Sequence, residues 1–134
     1  MKSIFKSGIL GACVLGGAAL APLAAQGDAM ELLRKLEPGQ WAISSRDGGP
    51  SKSICLRDAA ELVQLRHGSA SCSRYVVEES ADRLTVQYTC KGNGYGRTSI
   101  RRETGGLVQI ESQGVATGRP FQFHAEARRT GACR

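Results

Sequence analysis

Residues that could do acid–base or metal chemistry are few in this chain of 134 residues, and they are widely separated. The two histidines, His67 and His124, have no carboxylate or cysteine neighbour at a spacing that indicates a catalytic or metal site. We expect His67 to complement the carboxyl end of a helix and His124 to lie on the polar side of a strand. The sequence carries no motif of serine hydrolases, zinc proteases or P-loop nucleotidases. It therefore predicts a protein that is not an enzyme and holds no cofactor or metal.

Three acidic residues, Glu78, Glu79 and Asp82, stand close together between two strand-like runs. Paired carboxylates do acid–base work only in a cleft that separates their pKa values. These three lie at the tip of a predicted hairpin, which is open to water, so we interpret them as a solvated turn.

A glycine-rich segment, KGNGYG at residues 91–96, has the composition of a phosphate-binding loop. Such loops begin a helix, whereas this segment joins two predicted strands, so we interpret it as a turn. A rigid loop here is also what a small inhibitor would present to its target, with Tyr95 and Arg97 as contacts. Trp41 is the predicted core anchor of the first strand, and it would line a ligand cavity if the sheet closed. Trp41, Tyr95 and Arg97 are thus the candidate binding residues.

Four cysteines, Cys55, Cys72, Cys90 and Cys133, follow the N-terminal segment. Their spacings are long and irregular and no CxxC pair occurs, which argues against a four-thiolate metal site. An even number of cysteines in a small exported domain predicts two disulfides, each contributing roughly 2–4 kcal/mol to stability.

The hairpin predicted over residues 73–89 bears on how these cysteines pair. A three-residue turn would place Cys72 directly opposite Cys90. A two-residue turn instead buries the apolar residues of both strands on one face, and these two cysteines then point to opposite faces. We therefore favour Cys55–Cys72 with Cys90–Cys133, and we keep Cys72–Cys90 with Cys55–Cys133 as the alternative.

Residues 1–25 have the pattern of a secretory signal peptide: a basic start, an uncharged apolar stretch and small residues before Gln26. A membrane anchor is the alternative, although the stretch is glycine-rich and barely long enough to span a bilayer. Lipid attachment at Cys13, within a short lipoprotein-like box, is a further alternative. We predict a periplasmic or secreted protein without a stable membrane span.

Cleavage after Ala25 would leave a lead-in segment, residues 26–37, and a single domain, residues 38–134. Loss of Lys2 and Lys6 lowers the formal charge from +6 to +4, since every acidic residue lies after the cleavage site. A basic exported domain favours anionic partners such as lipid head groups, acidic glycans or wall polymers. No run of lysine and arginine is long enough to indicate nucleic-acid binding.

Short runs of alternating apolar and polar residues between turn residues predict seven strands, at residues 40–45, 51–56, 73–79, 83–89, 97–103, 107–113 and 121–129. An internal helix is predicted over residues 57–66, where Asp58 and Glu61 form a capping box. A short amphipathic helix is predicted within residues 27–37. These elements indicate a mainly β fold, an antiparallel meander that forms a curved sheet or a partly closed barrel, with one short helix and two disulfides.

Several motifs together resemble a known family. Pro38-Gly39-Gln40-Trp41 opens the first predicted strand, Ile54-Cys55-Leu56 precedes the internal helix, and Gly131-Ala132-Cys133 follows the last strand. With the spaced cysteines, they make the chain similar to the bacterial "domain of unknown function 3617" family of small exported proteins. The resemblance implies a periplasmic, β-rich domain, and it implies no activity, cofactor or catalytic residue.

These observations favour a binding or interaction module of the cell envelope that has no catalytic function. Its curved sheet would hold a small apolar ligand or meet an envelope protein. The alternative function is that of a small, disulfide-stapled inhibitor or protective protein.

Overall fold

Residues 30–134 are described by a computed structural model, in which apolar and polar residues alternate along strands that each bury one side. The helix α1 spans Glu31–Arg34, and a 3-10 helix spans Ala59–Gln64. The strands are β1 Gly39–Ser45, β2 Lys52–Leu56, β3 Cys72–Glu79, β4 Arg83–Cys90, β5 Gly94–Thr104, β6 Leu107–Ala116 and β7 Arg119–Gly131. The predicted signal peptide and Cys13 lie outside the described residues.

The strands form one antiparallel sheet in the order β2-β1-β7-β6-β5-β4-β3. The predicted mainly β, antiparallel class is confirmed, and the sheet is open, with β2 and β3 as its unpaired edges. Strands β3 to β7 are a meander, as predicted. The β1–β2 hairpin, however, does not join β3, because β1 pairs with β7 at the far side of the sheet.

The segment between β2 and β3 must therefore run from one edge of the sheet to the other. Seven strands spaced about 4.8 Å apart put these edges roughly 29 Å apart. The 3-10 helix lies in this crossing segment, where the predicted capping box is present: the Asp58 side chain accepts from Ala60 N at 2.9 Å, and Glu61 accepts from Asp58 N at 3.4 Å. The helix is shorter than predicted and is not α-helical. A 3-10 helix rises about 2.0 Å per residue, whereas an α-helix rises about 1.5 Å. The same number of residues therefore spans more of the distance between the edges as a 3-10 helix.

The hydrophobic core lies between the two short helices and one face of the sheet, which we call the inner face. Fully buried side chains from the sheet include Trp41, Leu84, Val86, Ile100 and Ile110. The helices cover them with a second set of buried residues, Leu32, Leu33, Leu62 and Val63. The opposite, outer face of the sheet carries mostly polar side chains.

Two disulfides, Cys55–Cys133 and Cys72–Cys90, are present, with Cα–Cα distances of 5.3 and 4.1 Å. The prediction of two disulfides among these cysteines is confirmed. The favoured pairing of Cys55 with Cys72 and of Cys90 with Cys133 is wrong, and the alternative is correct.

A β-bulge in β3 is the reason for the wrong pairing. The register between β3 and β4 shifts between Val76 and Glu78, which leaves Val77 as an extra residue. Beyond the bulge, Cys72 lies directly opposite Cys90. The prediction assumed a regular ladder that buries the apolar residues of both strands, whereas Tyr75 and Val77 of β3 are 72% and 40% exposed.

Two predicted loops are strand for half or more of their length. Strand β5 begins at Gly94, so the glycine-rich segment 91–96 contributes only a short turn at residues 91–93. Strands β6 and β7 likewise extend into the loop expected at residues 114–120, and they leave Thr117 and Gly118 as the turn, with φ of 49° and 75°. Positive φ at both positions matches the right-handed twist of a two-residue hairpin.

Candidate binding surface

The candidate residues Tyr95 and Arg97 lie on the outer face of the sheet, on strand β5. In the strand register Arg97 pairs with Gln87 of β4 and with Gln113 of β6, and Gln113 pairs with Gln122 of β7. Directly paired residues of antiparallel strands share a face and stand side by side. We call these four residues, Gln87, Arg97, Gln113 and Gln122, the Arg97 row.

The Arg97 row crosses a shallow trough in the outer face. Two adjoining cavities, of about 430 and 160 Å³, share Arg97, Gln113 and Gln122 in their walls. The larger one is completed by residues that include Tyr95, Val115 and Pro120. The smaller one is completed by residues that include Ser99, Glu111 and His124.

Arg97 carries a positive charge that no carboxylate neutralises within residues 30–134. Its side chain is exposed, and its lateral neighbours in the row are neutral amides. Other outer-face arginines do pair: Arg101 lies 3.0 Å from Glu103, and Arg128 lies 3.1 Å from Glu126. The guanidinium of Arg97 is therefore free to donate hydrogen bonds to an anion.

Exposed aromatic rings stand near the row. Tyr95, on the same strand, is 53% exposed, and Tyr75, which pairs with Gln87 from the edge strand β3, is 72% exposed. These are the largest exposures among the big apolar side chains of the described chain. A tyrosine ring in this position offers an apolar face and a polar tip to a ligand.

His124 lies on the outer face, as predicted, and has an acidic neighbour that the sequence did not indicate. Its backbone N–H donates to Asp47 Oδ2 at 2.6 Å, and its ring Nδ1 lies 3.3 Å from the same carboxylate. The backbone hydrogen bond is the main reason why the pKa of Asp47 is below its ordinary value. His124 is 42% exposed, so the pair has neither the burial nor the shielded cleft of a catalytic dyad.

His67 has a structural position that the sequence did not predict. Its side chain is buried, with Nε2 2.9 Å from Asn93 O and 3.2 Å from Val115 O, and Nδ1 3.0 Å from the Tyr88 hydroxyl. Carbonyl oxygens only accept, so Nε2 carries the proton and Nδ1 accepts from Tyr88. These hydrogen bonds of His67 therefore hold the crossing segment against the sheet.

Other buried hydroxyls extend this network. Thr98 Oγ1 donates to Val63 O at 2.6 Å and lies 2.8 Å from Ser112 Oγ. Burial raises the pKa of Tyr88 above its ordinary value, and the hydrogen bond with Ser112 opposes that rise. Polar residues at inward positions of apolar strands were the signal in the sequence that such a network existed.

The other candidates from the sequence are Trp41 and the three acidic residues of the predicted hairpin tip. Trp41 is 0% exposed and donates from Nε1 to Glu37 O at 3.0 Å, so its ring offers no surface to a ligand. Glu79 is not a solvated residue of the hairpin tip, because it accepts hydrogen bonds from the backbone of α1. Glu78 is exposed, and Asp82 accepts from the Ser80 hydroxyl at 3.2 Å within the turn.

Residues 30–134 contain no cluster of three histidine, cysteine or acidic residues that could hold a metal ion. The helices in this part of the chain are too short and too polar to cross a bilayer.

Comparison with known proteins gives one match. The model of a family described as a protein of unknown function, DUF3617, matches residues 36–133. Neither a curated protein sequence nor a solved structure matches the chain. The match begins after α1 and includes the 3-10 helix and every strand of the sheet.

Proposed function

Because the chain belongs to the DUF3617 family, whose members have no assigned activity, we propose a function from the geometry of the outer face. The protein is a non-catalytic binding module of the cell envelope, and its outer face binds an acidic polysaccharide. The observation that carries this proposal is the Arg97 row: an unpaired guanidinium flanked by amides in an open trough.

The chemistry of the row suits a polymer that carries both carboxylates and hydroxyls. A guanidinium binds a carboxylate with two parallel hydrogen bonds. The amides of Gln87, Gln113 and Gln122 each offer donors and an acceptor, which matches the hydroxyl groups of a sugar. Tyr95 adds a flat apolar surface against which a sugar ring can pack. The trough is open along the sheet, as an extended ligand requires.

Export to the periplasm is part of the proposal. Disulfides persist in oxidising compartments and are rare in the cytosol, and this domain has two. Residues 1–25, which have the pattern of a secretory signal peptide, also support export. Acidic polysaccharides are partners that a protein in this compartment meets.

The alternative role as an inhibitor has less support. It required a protruding loop at residues 91–96, whereas Tyr95 and its neighbours Gly94 and Gly96 belong to strand β5. The side chains proposed as loop contacts instead belong to a broad sheet face.

Binding to immobilised polygalacturonate, with neutral dextran as the comparison, tests the proposal. We expect binding to the carboxylated polymer alone, weakening as salt rises because exposed charges are screened. Arg97→Gln removes the charge-assisted contact and weakens binding by about tenfold. The matched control is Arg57→Gln, which removes an exposed arginine outside the trough. Equal loss in both variants, or equal binding to dextran, contradicts the proposal.

A further inference from the structure

A third cavity, of about 310 Å³, lies beside the β1–β2 hairpin. Strand β1 pairs with β7 only as far as Ser45, opposite Ala125. Before Ala125, β7 has β6 as its only strand partner, although Arg46 N of the hairpin turn still donates to His124 O at 2.8 Å. Leu65 and Arg66, which follow the 3-10 helix in the crossing segment, also line the cavity. We call this space the hairpin cavity.

The floor of the hairpin cavity is apolar. Ile43 and Ala125 are 5% and 3% exposed, and both belong to the hydrophobic core. Phe123 packs against that core while it lines the cavity, and Leu65 does the same from the crossing segment. A volume near 310 Å³ lies at the lower end of the range of about 300–1,000 Å³ for ligand sites.

The rim of the hairpin cavity carries two cations. Lys52 pairs directly with Ile43, so its side chain stands on the same, inner side of the sheet. Arg66 holds its guanidinium 5.6 Å from the ring centroid of Phe121, and this cation–π contact fixes its position. Neither cation forms an ion pair with a residue in the range 30–134.

One carboxylate, that of Asp47, also lines the hairpin cavity. It already accepts the backbone N–H of His124 and lies beside the His124 ring. The two cations outnumber this carboxylate, so the lining carries a net positive charge beside an apolar floor, and this pattern complements an amphipathic anion.

The cavity beneath α1, of about 360 Å³, does not have this pattern. Its charged walls contain Glu37 and Asp58 together with Arg34 and Arg57, so they favour neither sign of ligand charge.

We propose that the hairpin cavity binds the carboxylate end of a single-chain fatty acid. The chain lies on Ile43, Phe123 and Ala125, and the carboxylate lies between Lys52 and Arg66. The size of the cavity suits one short acyl chain and excludes a two-chain phospholipid. This site is separate from the Arg97 row, so either proposal can fail without the other.

Calorimetric titration of the protein with decanoate, below its micellar concentration, tests the proposal. We expect one site, with decanol at least about fivefold weaker because it lacks the charge, and with acetate showing no binding because it lacks the chain. The double variant K52Q/R66Q changes only exposed side chains, and we expect it to weaken decanoate binding by about tenfold. Lys91→Gln, on a turn away from the cavity, is the control and leaves binding unchanged.

Amide chemical shifts locate the bound chain. Decanoate should shift the amides of Ile43, Phe123 and Ala125, and a cavity-filling variant, Ala125→Leu, should abolish these shifts. If Ala125→Leu fails to fold, the charge-removing double variant still decides the question. Shifts centred on Tyr95 or beneath α1, undiminished binding by the double variant, or no binding of decanoate overturn the proposal. Binding of a two-chain phospholipid monomer in place of decanoate also overturns it.

Discussion

The carboxylate of Glu79, at the end of β3, accepts hydrogen bonds from the backbone N–H groups of Met30 and Leu32 at 2.9 and 3.0 Å. These are among the N–H groups that a helix start leaves without partners. Leu32 and Leu33 are buried, so the carboxylate positions core residues of the lead-in segment. The other end of this segment is held by the backbone of Glu37, which donates to Gly105 O at 2.8 Å.

Loss of the Glu79 carboxylate should release the lead-in segment from the sheet. Glu79→Ala leaves two N–H groups unpaired and should lower the free energy of unfolding by about 1 kcal/mol. Hydrogen exchange of the Leu32 and Leu33 amides should accelerate more than that of β6. Glu78→Ala, at an exposed neighbouring position, is the control. Equal exchange rates in the two variants would show that the cap does not hold α1.

The buried phenol of Tyr88 should make the folded protein less stable at alkaline pH. Burial raises the pKa of Tyr88 above its ordinary value of 10.0, so the folded state keeps the proton that the unfolded state loses. The contribution to stability is complete below pH 10 and is lost as the pH rises through the higher, folded pKa. Absorbance at alkaline pH should show one tyrosine that ionises later in the folded protein than in urea. Tyr88→Phe should lack this late step.

The hydroxyl of Tyr88 also stabilises the core through its hydrogen bond to His67 Nδ1. Tyr88→Phe leaves the Nδ1 atom of His67 without its hydrogen-bond donor. We expect the free energy of unfolding, measured in urea, to fall by about 1–3 kcal/mol, the cost of an unsatisfied buried polar group. The double variant Tyr88→Phe with His67→Leu removes both partners and should recover part of that loss. No recovery would mean that the two groups are not coupled.

The absence of a side chain at Gly96 makes room for Tyr88. Gly96 pairs with Tyr88 across β4 and β5, and a Cβ at this position would overlap both the hydroxyl and the ring. Gly96→Ala should therefore cost about 1–3 kcal/mol through overpacking, as measured by thermal or urea unfolding. Gly106→Ala, where the nearest atom lies 3.3 Å from the added Cβ, is the milder comparison. A loss no larger than that of Gly106→Ala would contradict the steric explanation.

The two disulfides should differ in their effect on stability. They close segments with sequence separations of 78 and 18 residues. By chain entropy the longer closure is worth about 4.5 kcal/mol and the shorter about 3 kcal/mol. Paired Cys→Ala variants, unfolded in urea, should therefore show the larger loss for Cys55 and Cys133. The reverse order would indicate that packing around the buried Cys90 outweighs the loop term.

Local patterns in the sequence predicted most of the fold. Alternating residues identified all seven strands, and Asp58 with Glu61 identified the start of the internal helix, since both signals depend on neighbouring residues. The place of the β1–β2 hairpin beside β7 could not be predicted in this way. It depends on the pairing of β1 with β7, in which residues far apart in the chain, such as Trp41 and Arg129, lie opposite one another.

The candidate site was predicted in part. Tyr95 and Arg97 were named as candidate binding residues, and Arg97 was placed in a strand, but Tyr95 was assigned to a loop because three nearby glycines have the composition of a turn. Gly96 is in fact required inside a strand by the bulk of Tyr88, which no local pattern reveals. The bulge at Val77 likewise has no local signal in the sequence, so the disulfide pairing could not be derived from spacing alone.

Both edges of the open sheet are covalently fastened. The bond from Cys72 to Cys90 fixes edge strand β3 to β4, and the bond from Cys55 to Cys133 fixes edge strand β2 to the segment after β7, with β1 held between them. A fastened edge strand does not leave the sheet, so it is neither exchanged with the same strand of a second molecule nor replaced by a foreign strand. The two disulfides therefore oppose the loss of an edge strand from the sheet, the step with which both strand exchange and stepwise unfolding from an edge begin.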